Sequence, residues 1–576
     1  MLSVLTASML NAFLIFSCVL DELGGKDNNL FKQIYETFFH SHQEEVIIGQ
    51  GVDAVGSFWI VRKVKDMLLG QSPTSLSDIY APYGYDIALH EGYAWADTLF
   101  GIPWEMLIGV PGFYNLHVFQ TLCLSFIGMY LLFRVIGLHW TLGLIFAHLS
   151  IFHSFGIDEI AYGRPTQIHW IWMSLTTLGM FKMLYGDSSS TSMMKWSLFT
   201  GLSMGVSCLV YWFGAVALGF SLAIVFIIEL IRHTNWRASI PYGLLAAGTS
   251  IVFTLGITWR VSKSILKGHG SAAYNHLSDT NPLDIHIAGL TIPISGIHPI
   301  DNVDSVVQLF ALASIPPICI ILWIVLISTR QSWLKYWPWH IATFFSLGIP
   351  MQKAIGLGGL TIPTTYSVLE MVFPPLIRCG AVHRMMIAPT ILLMISSALV
   401  LTDWMSNHDR HIHKRIRILF AIIMGLNLSY LPTKGNMYTT TFSVKAPLKR
   451  YKGGFIDVPF RVSNEEYVQQ LWHKQPILGG PGFGTIQSDA HKRYLQRNGI
   501  LKNLDAIHQT CNIPPDRPNK RDLLQLYKDQ FRWIILHNDF LHCDINLFEN
   551  YMGTRGIPHP RHRITILPLP KLQDVQ

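Results

Sequence analysis

The stretch TLGLIFAHLSIFHSFGIDEIAYGRPTQIHWIWMSLTTLGMFKMLY (141–185) decides how the rest of the chain is read. Two apolar runs, at 139–156 and 167–185, approach the roughly 20 residues that a helix needs to cross a bilayer. The short connector between them, 157–166, holds Asp158, Glu159 and a single arginine, Arg164. This alternation of apolar run and polar connector recurs along the chain. Spans are expected near 1–20, 112–137, 139–156, 167–185, 195–213, 214–231, 238–258, 305–328, 337–350, 384–403 and 415–432, about eleven in all. The run 194–231 is long enough for two helices joined by a tight turn around Tyr211-Trp212-Phe213. The apolar 354–377 after the short span 337–350 is open to a re-entrant reading.

Composition agrees. Half of the 576 residues are hydrophobic and 14% are charged, against roughly 25% charged in soluble proteins, and the mean hydropathy is +0.32. A net charge of +7 is too mild and dispersed for nucleic acid. The aromatic content excludes disorder, and the unpatterned glycines exclude collagen. Met1–Leu20 lacks the basic n-region of a cleaved signal peptide, so a retained first span is expected.

Basic residues set the topology. With a cytoplasmic N-terminus, alternate short connectors should carry the positive charge. They carry Arg134, then Lys182 and Lys195, then Arg232 and Arg237, then Arg330 and Lys335, then Arg410, Lys414, Arg415 and Arg417. Segments 21–111, 157–166, 259–304, 350–383 and 433–576 then face the non-cytoplasmic side. The expected architecture is an α-helical polytopic membrane domain over 1–432, whose outer loop 21–111 bears interfacial helices at Val55–Leu69 and Ala94–Val110, followed by an extracytoplasmic C-terminal domain over 433–576. In that tail GFIDVPF (454–460) and RWIILH (532–537) read as strands, and Asn464–Trp472 and Arg521–Asp529 as helices, giving an α/β or α+β unit. Of seven cysteines, only Cys511 and Cys543 share the polar tail, where they would pair if it faces an oxidising compartment.

Signatures of soluble enzymes are missing. GLGG (356–359) has no following Gly-Lys-Ser/Thr, and GGPGFG (479–484) lacks the strand-then-helix setting of a dinucleotide site. The histidines His408, His411 and His413 fall in a basic connector and read as a solvated loop rather than a metal site. The acids on the outer side are more informative. Asp53, in GQGVDAVGSFW (49–59), suits both a helix N-cap and a general base held at the membrane surface. Asp158 and Glu159 lie in the next outer loop beside Arg164, an anion binder, in AYGRPTQ (161–167), which ends on Gln167. Asp86, His90 and Glu91 form a third outer cluster, in a Tyr-Pro-Gly-rich loop that also suits a rigid turn. Arg378, His383 and Arg384 stand on the outer side before a span, against the positive-inside preference, where they fit a lipid phosphate or simple headgroup snorkelling.

Taken together, the first span, the Asp53 loop before an aromatic helix, IPWEMLIGVPGFYNL (102–116), GRPTQ (163–167), the outer Arg378–Arg384 segment, and the tail motifs GFIDVPF, HKQPILGGPGFG (473–484) and LLQLYKDQFRWIILH (523–537) resemble the multi-span membrane proteins of the GT-C glycosyltransferase superfamily. That resemblance implies transfer of a sugar from a polyprenyl-phosphate-linked donor on the outer face of the membrane. It implies Asp53 as general base and a second acid at Asp158 or Glu159. Arg378 and Arg384, with Arg164, would hold the donor phosphate. A divalent metal such as Mg or Mn stays open, as do the acceptor and any protein partners. Many members carry paired acids in the first loop, whereas Asp53 is flanked by Val52 and Ala54, which weighs against a metal-ligand role. Two other readings stand beside the transferase. One is a lipid-linked-glycan flippase, which calls for ionisable groups near the bilayer midplane; the other is a non-catalytic assembly subunit of the same fold.

Overall fold

The computed structural model describes residues 6, 8–9, 44–49, 51–70, 75–76, 78–86, 95–108, 112–152, 156, 159–160, 163–232, 236–266, 330–349, 354–357, 360–373, 376, 385, 387–430, 439–443, 446–460, 469–479 and 489–574. The first loop holds strand β1 (Glu44–Ile48), helix α1 (Gly51–Leu68), the short antiparallel pair β2 (Ser75–Leu76) and β3 (Tyr85–Asp86), and helix α2 (Trp95–Ile108). Apolar helices follow as α3 (Gly112–Ile136), α4 (Trp140–Ile151), α5 (Ile171–Tyr185), α6 (Ser190–Arg232) and α7 (Trp236–Leu266). Helix α8 (Arg330–Leu347) leads into the hairpin β4 (Ala354–Leu357) and β5 (Leu360–Pro363), then α9 (Thr365–Val372), α10 (Ile387–Ser406) and α11 (Arg410–Tyr430). Within the apolar 354–377 the described residues form a hairpin followed by a short helix.

Among the described residues, four helices are long and apolar enough to cross a membrane: α3, α6, the Ser239–Gly256 part of α7, and α10; α4 is a shorter apolar helix. The stretches expected as spans at 167–185, 337–350 and 415–432 overlap helices α5, α8 and α11, which are not among those four. That at 305–328 lies outside the described residues, as does all of 1–20 but residues 6, 8 and 9. Helix α6 is two helices in one. Tyr211 leaves helical geometry (φ −149°, ψ 90°), and a β-carbon placed on Gly219 would lie 2.5 Å from the Met204 methyl. The chain therefore doubles back at Tyr211, at the turn the sequence suggested. Small residues let neighbouring helices approach, as membrane packing requires: Gly201 rests on the Ala246 carbonyl and Gly128 on the Ile171 backbone. The middle of the bundle is α10, buried from Ile387 through Leu401, while α7 presents Val252 and Trp259 outward.

The tail carries a four-stranded sheet ordered β7-β8-β10-β9. Strand β7 (Gly454–Val458) runs parallel to β8 (Phe531–His537), and β9 (Ile557–His559) and β10 (Ile564–Pro568) continue antiparallel. Helices α12 (Asp489–Arg497), α13 (Gly499–Thr510), α14 (Lys520–Lys528) and α15 (Ile545–Met552) pack a separate core that includes Ile456, Leu504, Ile534 and Phe548. Their starts are legible in the sequence: Asn498 accepts from the Leu501 amide (3.2 Å) and Asn519 from the Asp522 amide (2.8 Å), as N-caps do. Of the helix expected at 464–472, only the turn Gln470–His473 falls within the described residues. Cys511 and Cys543 form a disulfide.

Tail and first loop are stitched together. Strand β6 (Thr439–Ser443) pairs antiparallel with β1, Val46 opposite Thr441. The amides of Tyr80 and Ala81 donate to the carbonyls of Gly479 (3.1 Å) and Ile477 (3.0 Å), and the Ile477 amide donates to the Asp78 carbonyl (2.8 Å). Gln470 of the tail donates its side-chain amide to the Asp78 carboxylate, which Lys63 of the first loop also reaches at 3.3 Å. First loop and tail therefore share one side of the bundle. This also changes the expectation for Val55–Leu69. Helix α1 is enclosed rather than laid on a surface, with Phe58 and Trp59 fully buried. Helix α2 keeps an open apolar side at Leu99, Met106 and Leu107.

Candidate outer-loop site

Two connecting segments meet through glycine. Gly49 (φ +107°) and Gly163 (φ +66°) both occupy left-handed backbone that favours glycine. A β-carbon on Gly49 would lie 2.3 Å from Gly163 Cα, and one on Gly163 would lie 2.3 Å from Ala54 Cβ and 2.5 Å from Ala54 Cα. No side chain fits between these backbones. Tyr114 of α3 fixes the contact by donating its hydroxyl to the Gly163 carbonyl (3.1 Å), its ring standing edge-on to Phe58 of α1 at 5.8 Å. Asp53 immediately precedes Ala54 in the first turn of α1; its side chain lies outside the description, but its backbone is at this junction.

The connector supplies a buried ion pair. Arg164 Nη1 lies 3.2 Å from Glu159 Oε2 and 3.4 Å from Oε1, with the two side chains 9% and 3% exposed. The Arg164 amide also donates to the Glu159 carbonyl (2.8 Å), closing the loop on itself. Pro165 then opens the turn Pro165–Ile168, where its missing N–H costs nothing. Gln167 is buried in that turn. Glu159 is thus held by Arg164. Asp158 lies outside the described residues, as do His90, Glu91, Arg378, His383 and Arg384.

Just below the junction is a network that sequence reasoning did not assemble. Asp97, in the first turn of α2, receives His117 Nε2 at 2.9 Å and His169 Nδ1 at 2.7 Å, and all three side chains are fully buried. An ionised carboxylate can only accept, so both imidazoles donate to it. Burial alone would raise the Asp97 carboxyl. The His117 charge and the hydrogen bonds from both histidines outweigh that and hold it well below the usual carboxylate range. The outer nitrogens, His117 Nδ1 and His169 Nε2, have no partner among the described residues. His117 lies one turn beyond Tyr114 on α3, so the network sits one helical turn beneath the glycine contact. A second buried acid, Glu229, lies at the other end of the bundle, hydrogen-bonded by Tyr185 and 3.6 Å from Arg232.

The described residues hold no group of three or more His, Cys, Asp or Glu side chains placed to bind a metal ion. Within the basic connector, His408 and His413 turn back to the carbonyls of Trp404 and Met405, finishing α10 rather than converging.

No family model and no curated protein matches the sequence. Among solved structures, the chain is similar to the oligosaccharyltransferase of Archaeoglobus fulgidus in complex with zinc and sulfate. The TM-score is 0.55 at 10% identity, over 100% of this chain and 74% of that one. It is also similar, at a TM-score of 0.42 and 10% identity over 93% of this chain and 96% of the other, to ArnT from Cupriavidus metallidurans bound to undecaprenyl phosphate. The archaeal enzyme is matched along the whole chain, and the chain shares its fold.

Proposed function

We propose that this protein is an inverting membrane glycosyltransferase that moves a sugar from a polyprenyl-phosphate carrier to an acceptor hydroxyl on the outer face of the membrane. The observation that carries the reading is the backbone contact of Gly49 and Ala54 with Gly163, which supports Asp53 and the Glu159–Arg164 connector acting in one site. Asp53 takes the acceptor's proton as the acceptor oxygen bonds to the anomeric carbon. The bond from that carbon to the carrier phosphate breaks, and the lipid phosphate leaves with the electron pair. Arg378 and Arg384 steady the charge that develops on that phosphate, with Arg164 and Gln167 toward the sugar. Glu159 orients Arg164, and Asp158 is the second acid of the loop. His90, Glu91 and His383 complete the substrate-binding set. The tail, as an extracytoplasmic domain over 433–576, covers the site with the N-terminus cytoplasmic. The similarity to an archaeal enzyme crystallised with zinc leaves a divalent metal to be tested, and no step above depends on one.

The test is mass spectrometry of lipid-linked sugars and surface glycans from cells with wild type, Asp53→Asn, or neither, at matched membrane levels. A sugar lost in both the null and the variant supports the reading. A variant that restores the profile removes Asp53 from catalysis and favours transport. An unchanged profile throughout favours an assembly subunit.

A further inference from the structure

The first turns of α11 carry a stripe that the proposed reaction does not use. Arg410, His411, Lys414 and Arg415 are exposed, and none of the ion pairs among the described residues engages Arg410, Lys414 or Arg415. On the same face the next turns expose Ile418, Leu419 and Ile422, at 50%, 52% and 54%. Positions 411, 414, 415, 418, 419 and 422 lie on one side of a helix of 3.6 residues per turn. The other side is occupied: the Phe420 ring packs on Phe146 of α4 at 5.3 Å, and Arg417 Nη1 lies 3.4 Å from His139 Nε2.

Two facts orient the stripe. The C-terminal end of α11 leads to β6, which pairs with the first loop, and the span expected from the sequence at 415–432 then puts the basic end on the opposite membrane face. From Ile418 to Ile422 the helix rises about 6 Å, so the exposed apolar track lies within the roughly 15 Å depth of one leaflet's hydrocarbon, directly beneath the cationic turns. A cationic head above an exposed apolar track is complementary to a phospholipid with a negative headgroup and to the upper part of its acyl chain. Asp403 and Asp409 are the nearest acids in sequence, and they leave the patch net positive.

We infer that the exposed stripe of α11 is a binding site for an anionic phospholipid of the leaflet opposite the tail. Its phosphate lies among Arg410, Lys414 and Arg415, and one acyl chain lies along Ile418, Leu419 and Ile422. This does not depend on the transferase reading. It extends to recognition what the charge rule assigns to topology alone, and it predicts preference among lipids rather than orientation.

The probe is an equimolar mixture of phosphatidylglycerol and phosphatidylcholine, offered to the full-length protein in detergent and read by native mass spectrometry. Wild type should retain phosphatidylglycerol at least ten-fold over phosphatidylcholine, and 0.5 M salt should weaken that preference. Neutralising one residue should cost about five-fold, so R410Q/K414Q/R415Q should approach parity. R410K/R415K, which keeps the charge, should retain the preference. So should K182Q/K195Q, which removes charge elsewhere on the same face. Equal retention of the two lipids by wild type overturns the site, as does a salt-insensitive preference. A triple variant that binds like wild type, or a K182Q/K195Q variant that loses as much as the triple, overturns it too. If the triple variant does not accumulate, the wild-type ratio and its salt dependence still decide the matter.

Discussion

Gly163→Ala tests the contact on which the site rests. Gly163 sits at φ +66°, and its new methyl would meet Ala54 Cβ at 2.3 Å and Ala54 Cα at 2.5 Å. Two costs follow. Left-handed backbone costs a residue with a β-carbon roughly 1–2 kcal/mol. Carbon atoms not bonded to each other settle at about 3.5–4 Å, so the two loops must also part by about 1 Å. Overpacking of this kind costs about 1–3 kcal/mol, for a sum of about 2–5 kcal/mol. Gly553, at the end of α15, is the matched control: its φ is +65° and nothing lies within 4 Å of its missing β-carbon. Gly553→Ala therefore carries the backbone cost alone, about 1–2 kcal/mol. Both variants would be melted in one detergent and followed by tryptophan fluorescence, with sugar transfer read by the glycan assay. Gly163→Ala should melt below Gly553→Ala and lose transfer, while Gly553→Ala keeps it. Equal melting of the two would falsify the claim that close approach, rather than dihedral freedom, is what requires glycine at 163. Full transfer by a destabilised Gly163→Ala would detach the contact from catalysis.

Three further outcomes are expected. Asp97→Ala leaves two buried imidazoles without their acceptor and should cost about 3–5 kcal/mol, whereas Asp97→Asn should cost less because the imidazole tautomers can adapt. A melting point for Asp97→Ala within error of wild type would show that the network carries no stability. Acid should loosen the seam between tail and first loop. Burial pushes His473 down to about 3, helped by the Lys63 charge, and His491, which packs edge-on to Tyr80, down to about 4. The unfolded chain takes up these protons near 6.5, so stability is full above that pH and falls toward the folded values. The loss at pH 5 is about 2 kcal/mol per histidine. Thermal melts at pH 7 and 5 should show it, and His473→Gln/His491→Gln should flatten the difference. Reducing Cys511–Cys543, which closes 32 residues of sequence, should cost about 3–4 kcal/mol. The tail should then become sensitive to protease added on its own side of sealed vesicles. Unchanged protection after complete reduction would mean the bridge is not holding the tail.

What could be read in advance was what lipid and local chemistry dictate. A bilayer forces long apolar helices, so α3, α10 and the doubled α6 were visible as runs, and the Tyr211 turn as the only way to fit 194–231 into one membrane thickness. Strands β7 and β8 showed as β-branched and aromatic runs, and α14 as the helix expected at 521–529. Contacts between residues distant in the chain left no such trace. Asp97 looked like the polar side of an interfacial helix, and His117 and His169 like isolated histidines in apolar runs, because their partners lie 20 and 72 residues away. Nothing periodic marks Gly49 and Gly163 as partners. The pairing of β1 with β6 joins the two ends of the membrane domain, a closure that no local pattern announces. The available hint was chemical: a membrane-buried histidine is costly enough to suggest a nearby acid.

The connector 163–170 shows why the polar groups of α3 stand where they do. Irregular backbone at the edge of a bilayer is tolerated only where protein satisfies it. The chain breaks helical geometry at Gly163, Arg164 and His169 before α5 begins. The Arg164 amide is met by the Glu159 carbonyl, and the breaks on either side are met from α3. Tyr114 caps the Gly163 carbonyl, and Ser125 donates to the Ile168 carbonyl (2.6 Å) while accepting from the Trp170 amide (2.8 Å). Between them His117 reaches the connector through Asp97 and His169. The three attachments run from residue 114 to residue 125, about 16 Å along the helix. A loop pinned over that length cannot swing as a unit, so the position of Arg164 against the start of α1 is set by the membrane bundle itself. The site is then built on a rigid helix rather than on a free loop, and residues well below it, Ser125 and Asp97, become part of what holds the acid and the arginine in register.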